Sequence, residues 1–135
     1  PFMSPYSVCE KIVIYTRFSR SFFSAVVESS RTTIQRVTAP ARPEFLLCAA
    51  HLPSPLHFSK ESRSIECQEF VRELIEAENR VGGHRRTIVV GDFNLNPFDE
   101  GMVGAAAFHA VMSRTVAARG SRIVQGRRYA FFSPM

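Results

Sequence analysis

The stretch that decides the fold reads Thr87-Ile88-Val89-Val90-Gly91-Asp92-Phe93-Asn94-Leu95-Asn96-Pro97. A short β-branched run, typical of a buried strand, leads into a glycine turn. Because side chains alternate in an extended segment, Asp92 and Asn94 are expected to project the same way while Phe93 points to the core. A carboxylate beside a carboxamide suits a hard metal ion or a phosphate group. The alternative interpretation is an ordinary Gly-Asp turn after a buried strand.

A second strand-like segment ends on a histidine. The residues from Phe45 to Ala50 are mostly apolar, and His51 is followed by a proline-rich loop. One amphipathic helix separates His51 from Asp92 and is expected to return the chain to the same edge of a sheet. Polar groups at strand ends belong to loops that a rigid scaffold positions. Alone, His51 would be interpreted as a structural histidine, but together with Asp92 and Asn94 it is predicted to belong to a site.

These segments resemble the endonuclease/exonuclease/phosphatase superfamily, the metal-dependent phosphoesterases that include pancreatic deoxyribonuclease. The family's hydrophobic strand, followed by Gly-Asp-Phe-Asn and a nearby proline, matches Ile88 to Asn94 with Pro97. Its strand that ends in His-Leu matches Cys48 to Leu52, so the resemblance implies that His51 is the active-site histidine. Glu10, which precedes the apolar segment 11–17, is similar to the glutamate that orients this histidine in the nuclease branch.

The resemblance implies an α+β fold, a four-layer α/β/β/α sandwich of the deoxyribonuclease I-like type, with this chain as its central part. Family members also carry an early Asn and a metal-binding Glu, and a late Asp-His pair. Only Pro1 to Cys9 precede Glu10, and the last acidic residue is Glu100, so neither pair has a match here. We therefore expect residues 1–135 to form a single partial domain, an internal fragment that is inactive on its own.

The activity that the resemblance implies is hydrolysis of phosphodiester bonds with Mg²⁺ or Mn²⁺, and nucleic acid is the first substrate to expect. Asp92 and Asn94 would be metal ligands, with Asp92 also positioning the attacking water and Asn94 holding the phosphate. His51 would contact the phosphate as an acid or electrostatic stabiliser, and Glu10 would fix its tautomer. Two alternatives stay open: a small-molecule phosphatase of the inositol type, and a non-catalytic, degenerate or basic nucleic-acid-binding domain of the same fold.

The charge of the chain agrees with a polyanionic substrate. The formal net charge is +5, and arginine supplies almost all of the positive residues. Arginine makes bidentate contacts to phosphates, and excess positive charge attracts such substrates. The basic segment from Arg119 to Arg128 is predicted to contact the substrate phosphate through Arg127 and Arg128, while segment 84–86 is a second candidate. Solvated surface arginines are the competing interpretation of both segments.

Apolar runs and cysteines bear on the compartment. The longest apolar runs are too short to span a bilayer, so no membrane association is expected. Cys9, Cys48 and Cys67 are too few for a disulfide framework. Cys48 and Cys67 lie on predicted apolar elements, which favours reduced core thiols. We expect a cytoplasmic monomer.

Periodicity and turn signals predict the order of the elements. One long helix is expected from Ser59 or Ser62 to about Arg80, because it has an apolar face and Gly82-Gly83 follows it. A second helix is expected from Asp99 or Glu100 to about Met112, with acidic residues in its first turn. The predicted strands are Lys11 to Phe18, Phe22 to Glu28, a partly exposed Arg31 to Thr38, Phe45 to His51, Thr87 to Val90, and Arg128 to Phe132.

Overall fold

The computed structural model describes Ser4 and residues 7–134, and its secondary structure is mixed. The helices are α1 Lys60–Arg80, α2 Glu100–Val103 and α3 Arg114–Ala117, with a 3-10 helix at Arg20–Phe22. The strands are β1 Phe23–Glu28, β2 Thr32–Val37, β3 Phe45–His51, β4 Thr87–Asp92, β5 Arg122–Val124 and β6 Arg127–Tyr129. The predicted α+β class is therefore confirmed.

The described chain divides into two compact units. The first unit comprises residues up to 52 together with 73–93, and the second comprises 53–72 together with 94–134. Helix α1 contributes residues 60–72 to the second unit and residues 73–80 to the first.

A four-stranded sheet in the order β1-β2-β3-β4 forms the first unit. Strands β1, β2 and β3 pair antiparallel, since short connections join them, whereas β3 and β4 pair parallel. A parallel pair requires a crossover connection, and α1 supplies it. The strands predicted from Phe22, Arg31, Phe45 and Thr87 are therefore confirmed.

Strand β2 lies inside the sheet and is buried along most of its length. The prediction of a partly exposed strand is wrong, because the polar residues that suggested exposure satisfy each other. Glu28 accepts hydrogen bonds from the Thr33 hydroxyl and, at 2.6 Å, from the Gln35 amide. Thr33 and Gln35 are 0% and 1% exposed, so a hydrogen-bonded carboxylate replaces water for both.

Helix α1 begins and ends where its caps predict. The Ser59 hydroxyl accepts from the Ser62 backbone N–H at 3.2 Å, which satisfies a donor of the first turn. At the other end the Gly83 N–H donates to the Glu78 carbonyl at 3.0 Å, and Gly82 and Gly83 both have positive φ. The predicted helix is confirmed, and no helix among the described residues is both long and apolar enough to cross a membrane.

Aromatic packing holds the second unit together. The rings of Phe70 and Phe108 lie 5.7 Å apart, and Phe108 meets Phe131 at 5.0 Å in an edge-to-face arrangement. Tyr129, on the hairpin of β5 and β6, is 1% exposed and donates its hydroxyl hydrogen to the Ala105 carbonyl. The strand predicted over Arg128 to Phe132 is thus the short β6.

Two predicted elements are wrong. Segment 11–18 shows alternation, yet within the described residues it forms no strand ladder, and only an isolated bridge marks Thr16. Alternation favours a strand only where a neighbouring strand supplies hydrogen bonds. The second predicted helix stops at Val103, because Gly104 is extended with ψ of 146° and His109 has φ of 45°.

Candidate active site

The fold places His51 and Asp92 side by side. They are register partners at the ends of the parallel strands β3 and β4, and the Leu52 N–H donates to the Asp92 carbonyl at 2.9 Å. Neighbouring strands lie about 4.8 Å apart, and register partners project from the same face of a sheet. A histidine and a carboxylate therefore share one sheet face at the edge where the two strands end.

Gly91 makes this close pairing possible. Its φ is 144°, and a Cβ atom placed there would lie 1.9 Å from the Ala50 carbonyl oxygen of β3. Only glycine tolerates that approach and that backbone conformation. The glycine of the Gly-Asp-Phe-Asn segment thus has a specific structural task, which is to bring Asp92 beside His51.

The two side chains differ in their surroundings. The His51 ring is half-buried and makes no hydrogen bond to any other described residue, while its backbone N–H donates to the Arg31 carbonyl at 2.9 Å. Asp92 is exposed to solvent. Within the described residues the imidazole therefore keeps both ring nitrogens available to a ligand.

The sheet face that carries this pair is otherwise apolar. Leu47 and Ile88 are register partners on it, followed by Ala49 with Val90, and then by His51 with Asp92. The same face bears a cavity of about 720 Å³, whose lining includes Tyr15, Phe18, Phe45, Leu47 and Ile88. Ile88 and Val90 remain 52% and 45% exposed. The polar pair thus ends an apolar surface.

The opposite face of the sheet carries no comparable pair. Cys48 is fully buried there, and burial, aided by the charge of Glu73, holds the pKa of its thiol far above the usual range. The Thr87 hydroxyl donates to the Glu78 carboxylate at 2.6 Å, which fixes the end of α1 to this face. Because a thiol at so high a pKa stays protonated, Cys48 is a packing residue, as the sequence predicts.

Asn94 begins the second unit and has a left-handed backbone, with φ of 51°. Strand β4 ends at Asp92, and residues 93–96 are not extended strand. The alternation expected to align Asp92 with Asn94 therefore stops before Asn94. What holds Asn94 instead is α1, whose Arg63 donates from Nη1 to the Asn94 carbonyl at 2.8 Å.

The remaining predicted site residues lie elsewhere. Glu10 is exposed on a bend, and no hydrogen bond links it to His51 among the residues described, so its orienting role stays a prediction. Arg127 and Arg128 are exposed on β6 of the second unit, where Arg128 Nη1 donates to the Ser121 hydroxyl at 3.0 Å. Contact of these arginines with a substrate phosphate also stays a prediction.

Glu28 is a further polar residue on the face of His51, and the sequence did not predict its position there. The register aligns Glu28 with Thr33 of β2, and Thr33 with Ala49, two residues before His51 on β3. Besides its bonds within β2, the Glu28 carboxylate accepts from the Ser7 hydroxyl at 2.6 Å. The only sequence signal for this arrangement is the alternation of polar residues along β2. That alternation suggests an exposed strand, whereas the polar side chains in fact surround the Glu28 carboxylate.

The donor set decides which kind of metal site would fit. Among Ser4 and residues 7–134, no group of three or more His, Cys, Asp or Glu side chains could hold an ion. Magnesium commonly keeps several waters and binds through one or two carboxylates plus substrate phosphates. The exposed Asp92 carboxylate fits that open mode rather than a closed cage. Metal binding stays a prediction.

Comparisons of the chain with protein-family models, with curated proteins and with solved structures found no match. The resemblance to the endonuclease/exonuclease/phosphatase superfamily therefore stays a prediction that rests on the residues quoted above.

Proposed function

We propose that this protein is a metal-dependent phosphoesterase that hydrolyses phosphodiester bonds of nucleic acid. The observation that carries the proposal is the pairing of His51 with Asp92 at the ends of two parallel strands. Loops at strand ends place chemical groups on a rigid scaffold. An imidazole that has no hydrogen-bond partner among the described residues, beside an exposed carboxylate, can supply the acid and base that ester hydrolysis requires.

Each residue takes a distinct role. Asp92 accepts a hydrogen bond from the attacking water and orients it towards phosphorus. The His51 ring donates a hydrogen bond to a phosphate oxygen and stabilises the charge that builds up there. Asn94 holds a second phosphate oxygen through its amide, and Glu10 is assigned to the orientation of His51.

Asp92 and Asn94 would hold the Mg²⁺ or Mn²⁺ ion. When bound, the ion polarises a non-bridging phosphate oxygen and helps to neutralise charge on the leaving oxygen. The protein's own part is to keep His51 and Asp92 in register, which the parallel pairing and Gly91 do.

The distribution of charge favours a nucleic acid over a small phosphorylated molecule. The net charge is +5, and Arg127 and Arg128 are exposed on a short hairpin. A polyanion can reach several exposed arginines at once, whereas a single phosphate monoester cannot. The same arginines also support the competing function, a basic domain that binds nucleic acid without cleaving it.

We also propose the four-layer α/β/β/α sandwich. One face of the four-stranded sheet is covered by α1, while the other exposes Ile88 and Val90 beside an apolar cavity. In a sandwich, a second sheet would pack about 10 Å from this face and cover it. The exposed apolar face supports that arrangement.

The proposal is tested with full-length protein by assaying single-stranded DNA, duplex DNA and an inositol phosphate side by side, with Mg²⁺ and with a chelator. We expect hydrolysis of DNA that needs the metal and that falls about 10²- to 10⁴-fold in Asp92→Ala. Glu76→Ala is the matched control, since Glu76 is an exposed acidic residue on α1.

The two competing functions give different results in the same assay. A small-molecule phosphatase would hydrolyse the inositol phosphate and leave DNA intact. A binding domain would hydrolyse none of the three, keep its affinity for DNA in chelator, and lose that affinity steeply as salt rises. Either result would overturn the proposal, and so would an Asp92→Ala variant with wild-type turnover.

A further inference from the structure

The backbone of Asn94 is unusual and needs an explanation. Its φ of 51° is a left-handed conformation, which asparagine adopts more readily than other residues with a side chain but which remains uncommon. Local contacts decide whether an asparagine takes this conformation or one with negative φ. Asn94 is also half-buried, so contacts within the protein can supply the constraint.

Arg63 supplies one such contact. It lies in the first turn of α1, where its backbone N–H donates to the Ser59 carbonyl at 3.0 Å. Its Nη1 donates to the Asn94 carbonyl at 2.8 Å, a charge-assisted bond in a partly buried setting. The Arg63 Nε atom is buried without a hydrogen-bond partner in the described chain. Because no acidic side chain of the described residues pairs with this guanidinium, its bond to Asn94 is not a by-product of an ion pair.

The loop that follows Asn94 is fixed at its far end by a different contact. The Asn96 N–H donates to the Asp99 carboxylate at 2.9 Å, and the Asp99 N–H donates to the Asn96 carbonyl at 3.0 Å. Next to Asp99, α2 packs on α1 so closely that a Cβ atom on Gly101 would lie 3.2 Å from the Cys67 sulfur. Asp99 and Gly101 therefore anchor the end of the loop, and Arg63 anchors its beginning.

We propose that Arg63 is a positioning residue that holds Asn94 in its left-handed conformation and thereby fixes the Asn94 amide for the phosphate. The inference rests on the proposed function of Asn94. Arg63 itself contacts neither substrate nor metal, and it acts only through the Asn94 peptide. A guanidinium suits this task better than an ammonium, since it is planar and its donors are fixed in direction.

The conformational part is tested by NMR on ¹⁵N-labelled protein, without any assay of activity. We expect the three-bond HN–Hα coupling and the chemical shifts of Asn94 to report a left-handed residue in the wild type. They should move towards ordinary negative φ in Arg63→Met and move less in Arg63→Lys, which keeps a charged donor but not the planar guanidinium. Arg80→Met is the matched control, because Arg80 also donates to a backbone carbonyl, that of Val26, from the same helix.

The functional part is tested by a double-mutant cycle on DNA hydrolysis. We expect Arg63→Met to lower the rate roughly 10- to 100-fold, the usual range for a lost charged hydrogen bond. In an Asn94→Ala background the same change should have no further effect, because Arg63 acts through Asn94. A loss from general destabilisation would instead add to that of Asn94→Ala.

The outcomes separate this inference from the proposed function. If the wild type hydrolyses no substrate, the proposed function fails, while the NMR comparison still decides whether Arg63 holds Asn94. An unchanged Asn94 coupling in Arg63→Met would overturn the inference even in an active enzyme. Additive effects in the double mutant would overturn it as well.

Discussion

Each end of the parallel pair β3 and β4 carries a histidine and a carboxylate, but the contacts of these side chains differ between the two ends. At the end where the strands begin, Glu44 binds Arg36 through both Nε and Nη2. His84 Nε2 lies 3.2 Å from the other Glu44 oxygen, and His84 Nδ1 accepts from the Arg86 N–H at 3.2 Å. Arg86 Nε also donates to the Glu44 carbonyl at 2.8 Å, so Glu44 contacts three basic side chains at this end, although His84 Nε2 approaches it without a well-oriented hydrogen bond.

At the end where the strands finish, His51 and Asp92 are also a histidine and a carboxylate on adjacent segments. The His51 ring, however, makes no hydrogen bond within the described residues, and Asp92 is exposed. Polar groups that satisfy each other hold a structure together, whereas a half-buried ring with open donor and acceptor positions is available to a ligand. The contacts at the first end therefore support a structural role, and the open contacts at the second end agree with the proposed chemistry.

The largest expected difference between the two ends is in activity. His51→Ala should lower kcat/KM for DNA about 10²- to 10⁴-fold, because it removes the group that we propose contacts the phosphate. His84→Ala should leave turnover near the wild type but lower the free energy of unfolding by about 1 kcal/mol, since it loses its bond from Arg86. Steady-state kinetics and urea unfolding measure both. Equal losses of turnover in His51→Ala and His84→Ala would contradict the proposed difference between the two ends.

The free energy of unfolding tests how closely Gly91 brings β4 to β3 at the end where the strands finish. Gly91→Ala should lower the free energy of unfolding by about 3 kcal/mol or more, because the new Cβ meets the Ala50 carbonyl and φ is positive. Gly83→Ala is the control: its φ is 69° but nothing lies within 4 Å of an added Cβ. It should cost about 1 kcal/mol, from backbone strain alone. Urea unfolding measures the free energy of unfolding of both variants. Similar decreases in the two would show that the contact of Gly91 with Ala50 is not tight.

The sequence predicts those parts of the fold that local signals determine. Helix α1 follows from its apolar face, its Ser59 cap and the two glycines after it, and β3 and β4 follow from apolar runs that end in polar residues. Their parallel pairing follows from the length of the crossover. The juxtaposition of His51 with Asp92 was predictable for that reason.

Other features depend on contacts that no local pattern encodes. Segment 11–18 alternates like a strand, but no described strand pairs with it. The helix predicted beyond Val103 is interrupted by an extended Gly104. The contact of Arg63 with Asn94 joins residues 31 positions apart, and neither side chain signals it in the sequence.

The smallest expected effects are changes in stability with pH that come from Glu44 and Glu78, two carboxylates near the start of the parallel pair. The two contributions have opposite signs. The Arg36 guanidinium, helped by His84, holds the pKa of Glu44 below its usual range. Burial raises the pKa of Glu78, although its bond from Thr87 acts the other way. A lowered carboxyl pKa contributes stability above the unfolded value of about 4.3, and this is lost as the pH falls through the lowered pKa. A carboxyl group with a raised pKa has the opposite effect. Its contribution to stability is greatest below the unfolded value and is lost as the pH rises through the raised pKa.

Thermal unfolding as a function of pH separates the two groups. Glu44→Gln should lower Tm at pH 7, with a difference from the wild type that shrinks as the pH falls below about 4 and through the lowered pKa of Glu44. Glu78→Gln should raise Tm at pH 7, because it removes a buried charge and keeps an acceptor for the Thr87 hydroxyl, and this gain should also vanish in acid. Glu76→Gln, at an exposed position, is the control and should change little. Shifts of the same sign in Glu44→Gln and Glu78→Gln would mean that burial of Glu78 costs nothing. The nearby charges of Arg85 and His84, which lower the pKa of Glu78, would then outweigh the cost of burying it.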